Sequence, residues 1–176
     1  MSALRKANYD SLFFLTLTVV GWIDVFSRKD YADIVIKNLR FCQENKGLEI
    51  YGYVLMTNHL HMLAAQDHGD LNKVLGRFKS YSAKQILTTI EDNPKESRKD
   101  WLLHMFRFHA KYRVSYDEYH FWQNDNHPIE CASFEITQQK LNYIHNNPVR
   151  AGYVEEPQHW LYSSAHPRSP IKVLPL

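Results

Sequence analysis

Two neighbouring strands are predicted by residues 53–65, which read YVLMTNHLHMLAA. Apolar runs flank the pair Thr57-Asn58, a pattern typical of an antiparallel hairpin closed by a tight turn. Side chains alternate between the faces of a strand, so His59 and His61 should share one face while Leu60 points into a core. Two imidazoles on one face can bind a small cation together. The stretch therefore predicts both a piece of sheet and a candidate metal site.

The histidine pair also has a simpler interpretation. The chain holds 10 histidines in 176 residues, and at that density about 0.6 His-x-His pairs arise by chance. His59 and His61 would then be polar residues on the solvent side of a strand. A second, distant segment is needed to decide between the two interpretations.

That segment begins as a helix, predicted over residues 134–146. Ile136, Leu141 and Ile144 form an apolar stripe along it. The helix should end near Asn146 or Asn147, because a residue that precedes proline is disfavoured in the helical region. Tyr143 and Asn147 are four residues apart and lie on one helix face. One interpretation makes these two residues part of a functional site. The other is an ordinary amphipathic helix with a half-buried tyrosine.

Together the two segments resemble the REP-associated tyrosine transposases, a branch of the single-tyrosine HUH endonucleases. The resemblance rests on YVLMTNHLH at residues 53–61 and YIHNNPVRAGYV at residues 143–154. FWQ at residues 121–123 and WLYSS at residues 160–164 agree as well. It extends from about Phe13 to about Ser164.

The resemblance implies roles for particular residues. His59 and His61 would bind a divalent metal, Tyr143 would be the nucleophile, and Asn147 would complete the metal site. One position differs, since many relatives have proline where this chain has Thr57. Proline there favours the turn but supplies no ligand, so the site is not put in doubt.

The implied activity is metal-dependent nicking and rejoining of single-stranded, hairpin-bearing DNA through a covalent 5′-phosphotyrosine intermediate. A phenol has a pKa near 10 and is a weak nucleophile at neutral pH. The metal would orient the scissile phosphate and stabilise charge on its non-bridging oxygens. Two imidazoles and an amide oxygen fit Mg²⁺ or Mn²⁺; Zn²⁺ is less expected.

Two rival functions stay open at this stage. The chain could be a sequence- or hairpin-specific DNA-binding protein of the same fold without cleavage activity. It could also be a metal-dependent hydrolase of small molecules or RNA, in which Tyr143 acts as an acid or is structural. Monomer or homodimer, and use of the tyrosine in its own chain or in a partner, are likewise open.

DNA contacts are predicted on a long helix at about residues 71–90, with Asp70 as its N-cap. Lys73, Arg77 and Lys84 lie on one side of this helix and could follow a phosphate backbone. A solvated helix face is the equally good alternative. Arg150, just after the tyrosine helix, is a further candidate for a phosphate contact.

The remaining elements predict an α+β fold. Strands are expected at about residues 12–20, 49–56, 59–66 and 120–123, and further helices at about residues 30–45 and 100–108. Gly47 should terminate the first helix. Strands and helices interspersed around a hairpin favour an antiparallel sheet with helices packed on it. The resemblance makes this sheet ferredoxin-like, of the HUH endonuclease type, with both histidines on a central strand.

Bulk properties agree with one domain. We expect a single HUH-type transposase domain over residues 1–166 and a loosely packed C-terminal tail over residues 167–176. The net charge of +2 permits nucleic-acid binding but does not require it. Cys42 and Cys131 lie far apart, which excludes a disulfide framework and favours the cytoplasm. The apolar run at residues 12–20 is too short to span a membrane.

Overall fold

The computed structural model describes residues 11–111 and 118–176. The strands are β1 (Phe13–Thr18), β2 (Leu48–Leu55), β3 (His59–Gln66) and β4 (Ile129–Glu130), and the helices are α1 (Lys29–Lys46), α2 (Leu71–Asp92), α3 (Lys99–Ala110) and α4 (Phe134–Arg150). Short 3₁₀ turns lie at Val20–Trp22, Val25–Ser27 and Pro157–His159. None of the helices in these two ranges is long and apolar enough to cross a membrane.

The four strands form one antiparallel sheet in the order β2-β3-β1-β4. This is the strand order of a ferredoxin-like sheet, so the predicted α+β fold is confirmed. The predicted hairpin is confirmed too, because Leu55 pairs with Leu60 and the Met56 amide donates to the His59 carbonyl at 2.8 Å. Strand β3 lies between β2 and β1, which puts both histidines on a central strand.

One face of the sheet is covered by α1 and α2. Both helix boundaries agree with their sequence signals. Gly47 ends α1 with a φ of 67°, a left-handed conformation that glycine adopts without strain. Asp70 begins α2, and its carboxylate accepts from the Asn72 amide at 2.9 Å. The large side chains buried in this layer include Leu17, Leu39 and Phe78.

Helix α4 covers the opposite face over a smaller core. Ile144 of this helix packs with Phe14, Val54 and Leu63 of the sheet. The approach is close at Gly52, which lies beside a β-bulge in β2. A Cβ atom added at Gly52 would lie 2.5 Å from Cδ1 of Leu141. Glycine at this position therefore allows α4 to lie directly on the strand.

The predicted strand at residues 120–123 is wrong. That segment follows the edge of β1 but makes only an isolated bridge, between Val19 and Trp122. The ladder is interrupted because the carbonyls of Gln123 and Asn124 bind the Lys79 ammonium, although the segment stays beside β1, where the Thr16 amide donates to the Asn126 carbonyl at 2.8 Å. Regular pairing resumes only at β4.

The predicted end of α4 is also wrong, because the helix continues through Pro148 to Arg150. Proline lacks an amide hydrogen, so only one intrahelical bond is lost, and the helix closes soon afterwards. The Ala151 amide donates to the Asn147 carbonyl at 3.0 Å. The buried stripe also differs from the predicted one, since Thr137 is buried while Ile136 is 37% exposed.

The C-terminal segment protects the outer edge of β2. The Leu55 amide donates to the Tyr162 carbonyl at 2.8 Å, and Trp160 donates through its indole to the Leu55 carbonyl at 2.9 Å. The expected loose packing of residues 167–176 is wrong in part, because Ile171 is 2% exposed and the Leu174 amide donates to the Ile50 carbonyl. The domain boundary after residue 166 stays a prediction.

Candidate active site

His59 and His61 project from β3 toward α4, as the alternation of a strand requires. Their ring centroids are 4.6 Å apart. Leu60 is fully buried in the core on the other face. The hairpin thus presents two adjacent imidazoles on the thinly covered side of the sheet.

Each imidazole is oriented through its Nδ1 atom. His61 Nδ1 lies 2.8 Å from the hydroxyl oxygen of Thr16 on the neighbouring strand. His59 Nδ1 lies 2.6 Å from the side-chain oxygen of Asn58 in the hairpin turn. A partner on one ring nitrogen fixes the ring and leaves the other nitrogen for a ligand. The Nε2 atoms are therefore the available pair.

Burial keeps both imidazoles neutral at physiological pH. It lowers the pKa of His61 to about 3, and the neighbouring His59 and the Lys140 ammonium act in the same direction. Burial likewise lowers the pKa of His59, and a hydrogen-bonding contact with Asn147 opposes that change. A neutral imidazole carries the lone pair that a metal ion needs.

Helix α4 brings the predicted tyrosine and asparagine to the histidines. The ring centroids of Tyr143 and His61 are 5.3 Å apart, and Phe14 contacts both rings from below, stacked on His61. Asn147, one turn further on, lies within hydrogen-bonding reach of His59. Tyr143 is 38% exposed, so part of the residue is accessible from solvent.

Two cations flank Tyr143 on the same helix. The guanidinium carbon of Arg150 lies 5.5 Å from the centre of the Tyr143 ring, and the Lys140 ammonium lies 4.9 Å from that of Phe14. Neither cation forms an ion pair within residues 11–111 and 118–176. Their charge therefore remains available to an anion bound beside Tyr143.

The donor set around the two imidazoles fits a divalent cation with open coordination positions. Two Nε2 atoms and the Asn147 amide oxygen are neutral, so the full charge of the ion would face an anionic ligand. The described ranges hold no cluster of three or more His, Cys, Asp or Glu side chains that could form a metal cage. The available site is thus a half-open one made of two histidines and an amide.

The predicted basic residues of α2 lie elsewhere. Lys73, Arg77 and Lys84 are exposed, but α2 packs on the face of the sheet opposite to Tyr143. The structure therefore brings Arg150 to the tyrosine and leaves the α2 cations on the far side.

Three residues of the site were not singled out from the sequence. Asn58 and Thr16 orient the imidazoles, and Lys140 supplies charge beside Tyr143. Thr16 could have been found from the alternation of β1, which puts it on the face opposite to Leu15 and Leu17. Asn58 carried a signal as well, since a side chain in a two-residue turn can reach the strand that follows.

The sequence matches the family described as IS200-like transposases over residues 23–116, more than half of the chain. The chain belongs to this family and is thus a DNA-processing enzyme of the transposase class. The matched stretch includes the hairpin with both histidines and ends before α4. No curated protein matches the sequence.

The fold is similar to that of a solved REP-associated tyrosine transposase bound to a REP hairpin. The TM-score is 0.62, and the alignment covers 94% of this chain and 84% of that chain. The two sequences are 17% identical. At this identity the similarity concerns the fold, and it agrees with the family found from the sequence.

Proposed function

We propose that this protein nicks and rejoins single-stranded DNA through a covalent 5′-phosphotyrosine intermediate on Tyr143. The proposal depends on one observation above all: the Tyr143 ring lies 5.3 Å from His61 although the two residues are 82 positions apart. A tyrosine beside two neutral imidazoles and two cations is suited to attack a phosphodiester. Membership of a transposase family supports the same chemistry.

In the nicking step, the Tyr143 oxygen forms a bond to the phosphorus and the bond to the 3′ oxygen of the preceding nucleotide breaks. The phenolic proton passes to solvent, and the departing 3′ oxygen takes up a proton. The 5′ phosphate stays on the enzyme. A 3′ hydroxyl can then attack the phosphotyrosine and release the phenol, so rejoining needs no external energy source.

His59, His61 and Asn147 would hold the divalent metal, with Mg²⁺ or Mn²⁺ as the proposed ion. A bound ion of this kind orients the phosphate and stabilises the negative charge on its non-bridging oxygens. Thr16 and Asn58 fix the two rings through their Nδ1 atoms, so the Nε2 atoms would be the ligands. Lys140 and Arg150 bind the phosphate from the α4 side.

We propose single-stranded DNA next to a hairpin as the substrate. The solved transposase of similar fold is bound to a REP hairpin, and an exposed tyrosine on an open face can accept a flexible strand. A short DNA with a hairpin and a single-stranded flank is therefore the appropriate probe.

We further propose that the tyrosine acts on a phosphate bound by its own chain, because Tyr143 and His61 of one chain already contact each other. Mixing Tyr143→Phe with His61→Ala protein tests this. We expect no adduct from the mixture, since neither chain has both parts of a site. Recovered adduct would show that the tyrosine acts in a partner.

The test of the function is a nicking assay with fluorescently labelled hairpin DNA and Mn²⁺. We expect a covalent protein–DNA adduct that withstands denaturing electrophoresis and disappears in Tyr143→Phe. Tyr153→Phe is the matched control, because Tyr153 is also exposed but stacks on Trp160 instead of contacting a histidine. This variant should form the adduct normally.

Two results would overturn the proposal. Tight DNA binding without an adduct, at any Mn²⁺ or Mg²⁺ concentration, would indicate a DNA-binding protein that does not cleave. Hydrolysis of DNA, RNA or a small phosphodiester that survives in Tyr143→Phe would indicate a metal-dependent hydrolase in which the tyrosine has no covalent role.

A further inference from the structure

The turn that follows β1 has an unusual backbone. Gly21 and Trp22 both have positive φ values, 61° and 56°. Glycine adopts this region freely, but a tryptophan there is strained because its Cβ crowds the backbone. Such strain persists only where the surroundings impose it, and it is concentrated at functional sites.

The surroundings of Trp22 do impose the conformation. The Asn58 side chain donates to the Trp22 carbonyl at 3.1 Å, and the Val19 amide donates to the Asn58 carbonyl at 2.9 Å. Behind the turn, a Cβ added at Gly21 would lie 2.7 Å from Nε2 of His109 on α3. The turn is therefore held between the hairpin and α3.

The same Asn58 side chain that holds Trp22 also orients His59. Its oxygen lies 2.6 Å from His59 Nδ1, while its nitrogen binds the Trp22 carbonyl. The indole and imidazole ring centroids are 5.8 Å apart with an interplanar angle of 68°. The indole is thereby fixed at the rim of the candidate active site.

Folding does not account for this indole. Trp22 is 60% exposed, so burial contributes little stability to set against the backbone strain. Its neighbours in the sequence, Val20 and Ile23, supply the buried contacts of the turn. A strained, exposed aromatic ring held beside a phosphate-binding site has the properties of a surface for nucleobases.

We propose that Trp22 is a stacking platform for the base of a nucleotide next to the scissile phosphate. The proposal deepens the proposed function and rests on it. A phosphate at His59 and His61 leaves an adjoining base within reach of the indole, since the indole lies against the His59 imidazole and Trp22 is 60% exposed. Every base has a π-face, so the platform binds without a strict sequence requirement. Its role is to fix the register of the strand on the site.

Trp22→Gly is the informative variant because glycine tolerates the positive φ and removes only the ring. Trp22→Asn is a second variant that removes the ring, since asparagine also tolerates a positive φ. Trp22→Phe keeps an aromatic surface. Trp101→Ala is the matched control, because Trp101 is 48% exposed at the far end of α3.

The measurement is the affinity for a fluorescent single strand attached to a hairpin, in the Tyr143→Phe background so that no cleavage occurs. Each flank nucleotide is replaced in turn by an abasic one. Stacking of one base typically contributes 1–3 kcal/mol, so Trp22→Gly should weaken binding about 5- to 150-fold. Trp22→Phe and Trp101→Ala should stay within about threefold. The midpoint of thermal unfolding of Trp22→Gly should be unchanged or higher.

One abasic position should weaken binding by the protein with Trp22 and have no further effect in Trp22→Gly or Trp22→Asn. Unchanged affinity in folded Trp22→Gly or Trp22→Asn would contradict the proposed stacking. An abasic nucleotide that lowers the affinity equally with and without the indole would contradict it as well. The adduct assay on wild-type protein separates the two proposals. An adduct with no effect at Trp22 refutes the platform alone, whereas a Trp22 effect without an adduct refutes the nuclease alone.

Discussion

The two faces of the sheet differ in how they are covered. On one face, α1 and α2 bury a continuous core that includes Tyr31, Leu39 and Phe78, and the Tyr31 hydroxyl donates to the buried carboxylate of Glu96. On the other face, α4 contributes Ile144 to a smaller core of five buried residues and leaves His59 and Tyr143 partly exposed beside it. The thickly covered face holds most of the buried core, and the thinly covered face carries the proposed active site.

This difference explains how a buried histidine can serve a large substrate. His61 is only 6% exposed, yet its neighbours on the solvent side are a tyrosine and two cations on a single helix. A surface covered by one helix admits a strand of DNA more easily than one covered by two. Substitutions on the two faces should therefore affect different quantities.

The largest effect is expected from His61→Ala on the thin face. Loss of this imidazole should reduce adduct formation about 10³-fold, which corresponds to about 4 kcal/mol of lost stabilisation of the transition state. Manganese binding, measured by titration calorimetry, should weaken in parallel. His104→Ala, an exposed histidine on α3, is the control and should retain both. Normal adduct formation by His61→Ala would remove this residue from the site.

On the thick face, Phe78→Ala should lower the free energy of unfolding by about 3–5 kcal/mol, because it leaves a cavity in a fully packed core. Urea denaturation measures this. The folded fraction should form the adduct at the wild-type rate. A loss below about 1 kcal/mol, or a defect in adduct formation by fully folded protein, would contradict the division of labour between the faces.

Asn58→Ala should weaken manganese binding about 10- to 100-fold, as is typical when the partner that orients a metal-binding histidine is removed. Asn58→Asp keeps an oxygen for His59 Nδ1 and should retain most of the affinity. Equal losses in the two variants would mean that Asn58 acts through the turn and not through the imidazole.

Gly52→Ala tests how closely α4 must lie on the sheet. The new methyl group would meet Leu141, so we expect a loss of about 1–3 kcal/mol in the free energy of unfolding and a slower rate of adduct formation. Leu141→Ala in the same chain should restore part of both, with a coupling energy of about 1 kcal/mol. Strictly additive effects would contradict the contact as the cause.

The smallest effect is expected for the α2 cations, replaced together as Lys73→Gln, Arg77→Gln and Lys84→Gln. We expect the three cations to contact only the part of a hairpin substrate that extends around the sheet. The affinity for hairpin DNA should fall by less than about tenfold, and the affinity for a short single strand should not change. Equal losses for both DNAs would mean that the strand itself crosses α2.

The sequence predicted the regular parts of the fold. The turn Thr57-Asn58 between two apolar runs predicted the hairpin, and Asp70 and Gly47 marked helix boundaries that the structure confirms. These signals depend on residues that are close in the chain, so a single sequence is enough to show them. The identity of the site residues came instead from a resemblance, because no local pattern relates Tyr143 to a histidine 82 positions earlier.

The parts that could not be predicted depend on tertiary contacts. The strand predicted at residues 120–123 is interrupted because the Lys79 ammonium binds the carbonyls of Gln123 and Asn124, and nothing in the sequence indicates that contact. Helix α4 passes through Pro148 because its packing outweighs one lost hydrogen bond. The strain at Trp22 is imposed by Asn58 and α3, so it is visible only in three dimensions.

The central claim is that Tyr143 carries the DNA. Trypsin should release Tyr143 in the peptide spanning residues 141–150, LNYIHNNPVR. This peptide contains one tyrosine and no serine or threonine. After reaction with hairpin DNA and nuclease trimming, mass spectrometry should find this peptide heavier by a 5′-phosphorylated nucleotide, with the fragment ions assigning the addition to Tyr143. An unmodified 141–150 peptide together with a nucleotide on another peptide of the same protein would contradict the account.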